Sequence, residues 1–113
     1  MARVELPVRE RGVCCPPTRS MRPERVADLS RVLKALADPT RLEIVACLRA
    51  AKEPVCVCDF TESFELSQST LSHHMAVLRA AGLVDVTKGG VWSFYVLART
   101  MPAHVRAVVE AIG

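Results

Sequence analysis

Residues 66–82 read LSQSTLSHHMAVLRAAG. Ser67 stands at the N-cap position of a helix, where its hydroxyl can accept one of the backbone N–H groups that a first turn leaves unpaired. Behind it Leu71, Met75 and Leu78 recur at steps of four and three and share an inner face. Gly82 closes the run as the residue that takes a left-handed conformation after a last helical turn.

On either side of this helix the pattern changes in an ordered way. Before it, CDFTESF supports a short helix starting near Cys56 or Val57. After it, LVDVTKGGVWSFYVL gives two β-rich runs joined by Gly89 and Gly90, which predict a two-residue hairpin turn. Trp92 and Tyr95 are expected to pack as strand residues. PAHVRAVVEAI, with Val105, Val108, Val109 and Ile112, predicts a closing helix.

Upstream, ERVADLSRVLKALA places Val26, Leu29, Val32, Leu33 and Leu36 in the stripe of an amphipathic helix. ADPTRLEIVACLRAA begins a second helix, with Asp38 as N-cap and Pro39 at the first helical position, where a missing N–H costs nothing. Leu42, Val45 and Leu48 are expected on its inner face, with Cys47 as a packing residue. A pair of short helices, a hairpin and a closing helix give a fold that is mainly α with a small β-hairpin, a winged helix-turn-helix.

Two segments are distinguished. Residues 1–23 hold Pro7, Gly12, Pro16, Pro17 and Pro23 with little periodicity and form a cysteine-bearing N-terminal arm. Residues 24–113 are expected to form the winged helix-turn-helix domain, the fold that would carry DNA binding and dimerisation, of a size that often gains core by dimerising. The formal charge of +3 resides in residues 1–25, the arm and the two residues after it, where six arginines outnumber three glutamates, while the remainder is balanced. Charge alone is therefore weak support for nucleic acid.

The opening MARVELPVRE lacks the apolar run of a signal peptide, and no stretch is long and apolar enough to cross a bilayer. The expected location is the cytoplasm, without membrane association. In that reducing compartment the five cysteines are expected as thiols. With no C-x-x-C and no βαβ pattern, a catalytic oxidoreductase is not indicated, nor is any other enzyme.

In a helix-turn-helix the second helix presents its N-terminal residues to base edges in the major groove. Here these are Ser67, Gln68, Ser69, Thr70, Ser72 and His73, with Arg79 and Lys88 as candidate contacts to the DNA backbone. The competing interpretation is a polar helix end that is simply solvated. His73 is expected to face DNA and His74 to be partly packed; as neighbours they point about a quarter-turn apart and do not share an ion easily.

Taken in order, LKALADPTRLEIVACL, CVCDF, LSQSTLSHHMAVLRAAGLV and the hairpin resemble the ArsR/SmtB family of metal-responsive repressors. The resemblance covers roughly residues 26–100. It implies a homodimeric repressor, paired through its first and last helices, that binds double-stranded operator DNA without a cofactor and leaves it when a toxic metal or metalloid binds. CVC followed by aspartate resembles the inducer site of the arsenic- and cadmium-sensing members, so the resemblance implies Cys56 and Cys58 as ligands.

One departure is that Thr61 occupies the position of the third cysteine of the arsenite pattern. Soft ions select thiolates, so the missing donor is sought in Cys14 and Cys15, since related members recruit ligands from such arms. The implied inducer is arsenite or antimonite, with cadmium or lead on four thiolates as the alternative. A thiol-redox-sensing repressor on the same scaffold is a further alternative. The ligands of the zinc-sensing members are not matched in the last helix, which offers only His104 and Glu110. The wing also lacks the arginine that the family places near its tip.

Overall fold

Asp38 and Pro39 separate the first two helices, as the sequence leads one to expect. In the computed structural model, which describes residues 3–14 and 16–113, α1 spans Pro23–Leu36 and α2 spans Pro39–Ala50. The Asp38 side chain accepts the backbone N–H of Arg41 at 3.0 Å. That bond, first among its causes, holds the Asp38 carboxyl below its ordinary value. Preceding α1, the described arm residues are exposed and contain no helix or strand.

The short third helix, α3, spans Val57–Ser63, and α4 spans Gln68–Ala80. The turn between them is set by backbone bonds. Glu65 N–H reaches Glu62 O and Leu66 N–H reaches Thr61 O, with Glu65 at a positive φ of 53°. This is a Schellman closure in which a glutamate occupies the position that glycine normally takes.

At its far end α4 closes the same way with the residue expected there. Gly82 has φ 76°, its N–H bonds Arg79 O at 2.9 Å, and Leu83 N–H bonds Leu78 O at 3.0 Å. Leu78 and Leu83 are both fully buried, the apolar contact that accompanies this motif.

The sheet is larger than a hairpin. β1 (Val55–Cys56), β2 (Val84–Gly89) and β3 (Trp92–Leu97) form an antiparallel sheet of order β1-β3-β2. β1 pairs Val55 with Tyr95 and Cys56 with Phe94, fastening the start of α3 to the base of the wing. Gly89 pairs with Trp92, so the two turn residues are Gly90 and Val91 rather than Gly89 and Gly90. Gly90 carries the positive φ, 64°, whereas at Gly89 a Cβ would lie 3.1 Å from the Phe94 ring, which would have to give by a few tenths of an ångström.

α5 (Ala103–Glu110) packs on α1 and closes the chain. The core draws Val32 and Ala35 from α1, Ile44 and Val45 from α2, Phe60 from α3, Leu71, Met75 and Leu78 from α4, Tyr95 from β3 and Val105 and Val109 from α5. Burying each large apolar side chain contributes about 1.5–3 kcal/mol. Phe60 and Phe64 meet edge to face at 5.7 Å, stiffening the short α3. Four residues need correction: Leu42, Val26 and Leu33 are exposed rather than inward, and Cys47 is exposed on α2 rather than packed. Ile44 takes the inner position because α2 turns Leu42 away from the core.

Candidate DNA-binding face and thiol site

Ser67 caps α4 through its hydroxyl, which accepts Thr70 N–H at 3.2 Å. The same oxygen donates to Thr70 Oγ1 at 2.9 Å and lies 3.2 Å from Ser69 Oγ. Three of the candidate DNA contacts therefore form one capping cluster that fixes the first turn. Gln68, Ser72 and His73 are exposed beside it.

On a helix of 3.6 residues per turn, Gln68, Ser72 and Arg79 fall on one stripe, with Ser69 and His73 next to it. Leu71, Met75 and Leu78 lie in the core on the face bordering that stripe, so that Ser69 and His73 point most directly away from the body. The stripe rises about 16 Å from Gln68 to Arg79. Free N–H groups and the helix dipole make its N-terminal end receptive to phosphate. Lys88 is exposed on β2 near the hairpin tip, where Val91 is 91 % and Trp92 51 % exposed. Trp92 is thus not the strand-packing residue expected, whereas Tyr95 is buried.

The second site lies at the joint of β1 and α3. Cys56 is the N-cap residue of α3 and is buried, while Cys58 is exposed one residue inside the helix. Their sulfurs lie 2.9 Å apart, with Cys58 donating to Cys56. This bond, then desolvation, then the neighbouring charges of Cys56 and Asp59, raise the Cys58 thiol above its ordinary value. Two sulfurs sharing a tetrahedral ion with bonds of about 2.3 Å sit roughly 3.8 Å apart, so chelation would require them to part by only about 1 Å.

Thr61, at the position of the missing cysteine, donates its hydroxyl to Cys58 O at 3.0 Å. Cys14 is exposed in the arm, and Cys15 lies outside the described residues. Among the described residues no group of three or more His, Cys, Asp or Glu side chains is placed to hold a metal ion, so a single chain joins Cys56 to Cys58 but not to Cys14. His104 Nε2 stands 3.4 Å from Asp28 Oδ2, an ion-pair distance across α5 and α1.

Sequence reasoning missed one contact set near α4. His74, half-buried as expected, meets Arg41 of α2, a pairing 33 positions apart that no local pattern signals.

The comparisons agree with this geometry. Residues 38–86, from the N-cap of α2 into β2, match the family described as "Bacterial regulatory protein, arsR family". The HTH-type transcriptional regulator MJ1325 of Methanocaldococcus jannaschii is 38 % identical over 89 residues, covering 79 % of this chain and 99 % of its own.

The chain belongs to the ArsR family.

The arsenical resistance operon repressor of Staphylococcus xylosus is 46 % identical over 86 residues, 76 % of this chain and 81 % of that protein. Among solved structures, HlyU from Vibrio cholerae superposes with a TM-score of 0.67 at 34 % identity, over 80 % of this chain and 92 % of that one. As an ArsR-family member the chain is a winged helix-turn-helix transcriptional repressor and not an enzyme. No helix is long and apolar enough to cross a membrane among the described residues.

Proposed function

We propose that the chain is a cytoplasmic homodimeric repressor that releases its double-stranded operator when trivalent arsenic or antimony binds cysteine thiolates. The observation that carries this reading is the 2.9 Å contact between Cys56 and Cys58 at the start of α3, the helix that leads directly into α4. Similarity to an arsenical resistance repressor supports it. Ser67, Gln68, Ser69, Thr70, Ser72 and His73 face the major groove, with Arg79 and Lys88 on phosphates.

A trivalent arsenic centre seeks three sulfurs, and thiolate rather than thiol is the ligand. Cys14 and Cys15 of the arm, from the same or the partner subunit, supply what Thr61 does not. Residues 1–23 act as the arm and 24–113 as the DNA-binding and dimerisation domain. Chelation at Cys56 and Cys58 requires their sulfurs to part, which strains the strand-to-helix joint and disfavours the DNA-competent placement of α4. The inducer works to the extent that it prefers the DNA-free state, a coupling of typically about 1–3 kcal/mol.

The same sulfur contact favours a second reading, a redox switch, in which an oxidant takes two electrons and two protons from the pair to leave a disulfide. Release of a labelled promoter fragment from the reduced protein, with arsenite, antimonite, cadmium, zinc or diamide added separately, decides between them. Arsenite or antimonite should free the wild type and leave Cys14→Ser, Cys15→Ser, Cys56→Ser and Cys58→Ser bound. Release by cadmium alone would mean a four-thiolate site for a divalent ion, and release by diamide alone would mean the redox switch.

A further inference from the structure

Apolar contacts by Leu71, Met75 and Leu78 hold α4 to the body, but burial is non-directional and resists separation better than rotation. A directional contact comes from behind the helix. Arg41, in the first turn of α2, donates Nε to Ala35 O at 2.7 Å and Nη1 to His74 Nδ1 at 3.2 Å. The first bond has a cause in the sequence. Ala35 O would accept the N–H four residues on, and that residue is Pro39, which has none.

The second bond fixes a tautomer. A guanidinium only donates, so His74 Nδ1 accepts and the ring proton sits on Nε2. Asp38 Oδ2 is 4.0 Å from the same nitrogen, too far to compete for it. His74 keeps 14 % of its side chain exposed and lies on a flank of α4 away from Gln68 and Ser72.

We propose that Arg41 is a positioning residue for DNA binding, setting the rotation of α4 through the neutral imidazole of His74. The inference rests on the reading that the Gln68–His73 turn faces DNA. A helix with its side chains is about 10–12 Å across, so turning it by roughly ten degrees moves its outer surface by about 1 Å. A shift of that size takes a side chain out of hydrogen-bond range of a base edge. On this reading Arg41 acts on DNA binding through His74, and the register of Gln68, Ser72 and His73 depends on it.

The test is operator affinity by fluorescence anisotropy for full-length Arg41→Lys, His74→Leu, His74→Gln and Gln68→Ala, each with a thermal melt. Lysine lacks the fork that serves both acceptors, and leucine offers no acceptor, so both variants should bind about tenfold more weakly. Glutamine retains an acceptor oxygen and should stay within about twofold of wild type. Imidazole ¹⁵N shifts should show His74 as the Nε2–H tautomer in wild type.

Wild-type affinity in His74→Leu, or equal losses in the Leu and Gln variants, would overturn the proposal. So would losses that follow the fraction unfolded at the assay temperature. Weakened Gln68→Ala binding beside intact His74→Leu binding removes only the positioning role; unchanged Gln68→Ala binding removes the DNA-facing reading and the proposal together.

Discussion

The Cys58 thiol donates to the Cys56 sulfur across 2.9 Å, and the chain changes from strand to helix in the single residue between them. Cys56 ends β1, where its backbone is pinned to Phe94, while Cys58 already belongs to α3. A ligand that spreads the two sulfurs therefore acts on a joint with one side fixed, and the displacement goes into α3 and the helix that follows it.

That bond keeps Cys58 protonated to a higher pH than its ordinary value of 9.0. A group whose folded pKa is raised adds stability that is fully present below the unfolded value and is lost as pH rises through the folded one. Wild type should therefore lose more stability than Cys58→Ser above about pH 9 in urea titrations. Thiolate absorbance in a Cys14→Ser/Cys15→Ser/Cys47→Ser background should rise later for Cys58, and Cys56→Ser should move it back down. Because both sulfurs must shed protons to bind, cadmium affinity should weaken as pH falls.

What was legible in the sequence was local. Asp38–Pro39, Ser67 and Gly82 mark helix ends by chemistry confined to one turn, and Leu71, Met75 and Leu78 mark a face by spacing alone. The rest depends on partners far along the chain. Two residues of β1 carry no periodicity and become a strand only against Phe94 and Tyr95. Both glycines of the hairpin accept positive φ, so only the cross-strand pairing decides that Gly90 leads the turn and that Gly89 closes β2. The CVC pair was visible as two adjacent thiols, but the hydrogen bond between them was not. Exposure of Val26 and Leu33 was hidden because a helical stripe does not say how wide its neighbour is.

Ser67 carries two roles that a pair of substitutions separates. Ser67→Ala removes the acceptor for Thr70 N–H and should cost about 1 kcal/mol in stability, measured by urea denaturation. Ser67→Asp keeps an acceptor and adds a charge that suits the helix N-terminus, so stability should hold. The new carboxylate would, however, face phosphates, so operator affinity should fall well below that of wild type, and the gap between the two should widen at low salt. Equal affinity of the Asp variant and wild type would place this end of α4 away from DNA.

Glu65 sits in the left-handed region at the turn between α3 and α4, with φ 53°. An L-residue there costs roughly 1–2 kcal/mol in local strain, and glycine would relieve it at a smaller entropic cost. Glu65→Gly should stabilise the fold by about 0.5–1 kcal/mol in thermal melts. Its exposed side chain takes no part in the core, so a loss of stability would mean that the carboxylate does something for the turn that its backbone bonds do not.

Val26 and Leu33 lie seven residues apart on α1, two turns along one flank, and are 45 % and 54 % exposed. Leu29 falls between them, half-buried, so a continuous apolar strip runs beside the face that packs on the body. Under the homodimer reading this strip meets its copy. Leu33→Glu leaves the core untouched, since the side chain is already outside it, but places a charge in that strip. Sedimentation should show monomer where wild type is dimer, and wild type alone should melt at a temperature that rises with protein concentration. Operator affinity should drop roughly tenfold or more, because two linked half-site contacts become one. A Leu33→Glu protein that stays dimeric and binds normally would move the subunit interface off α1.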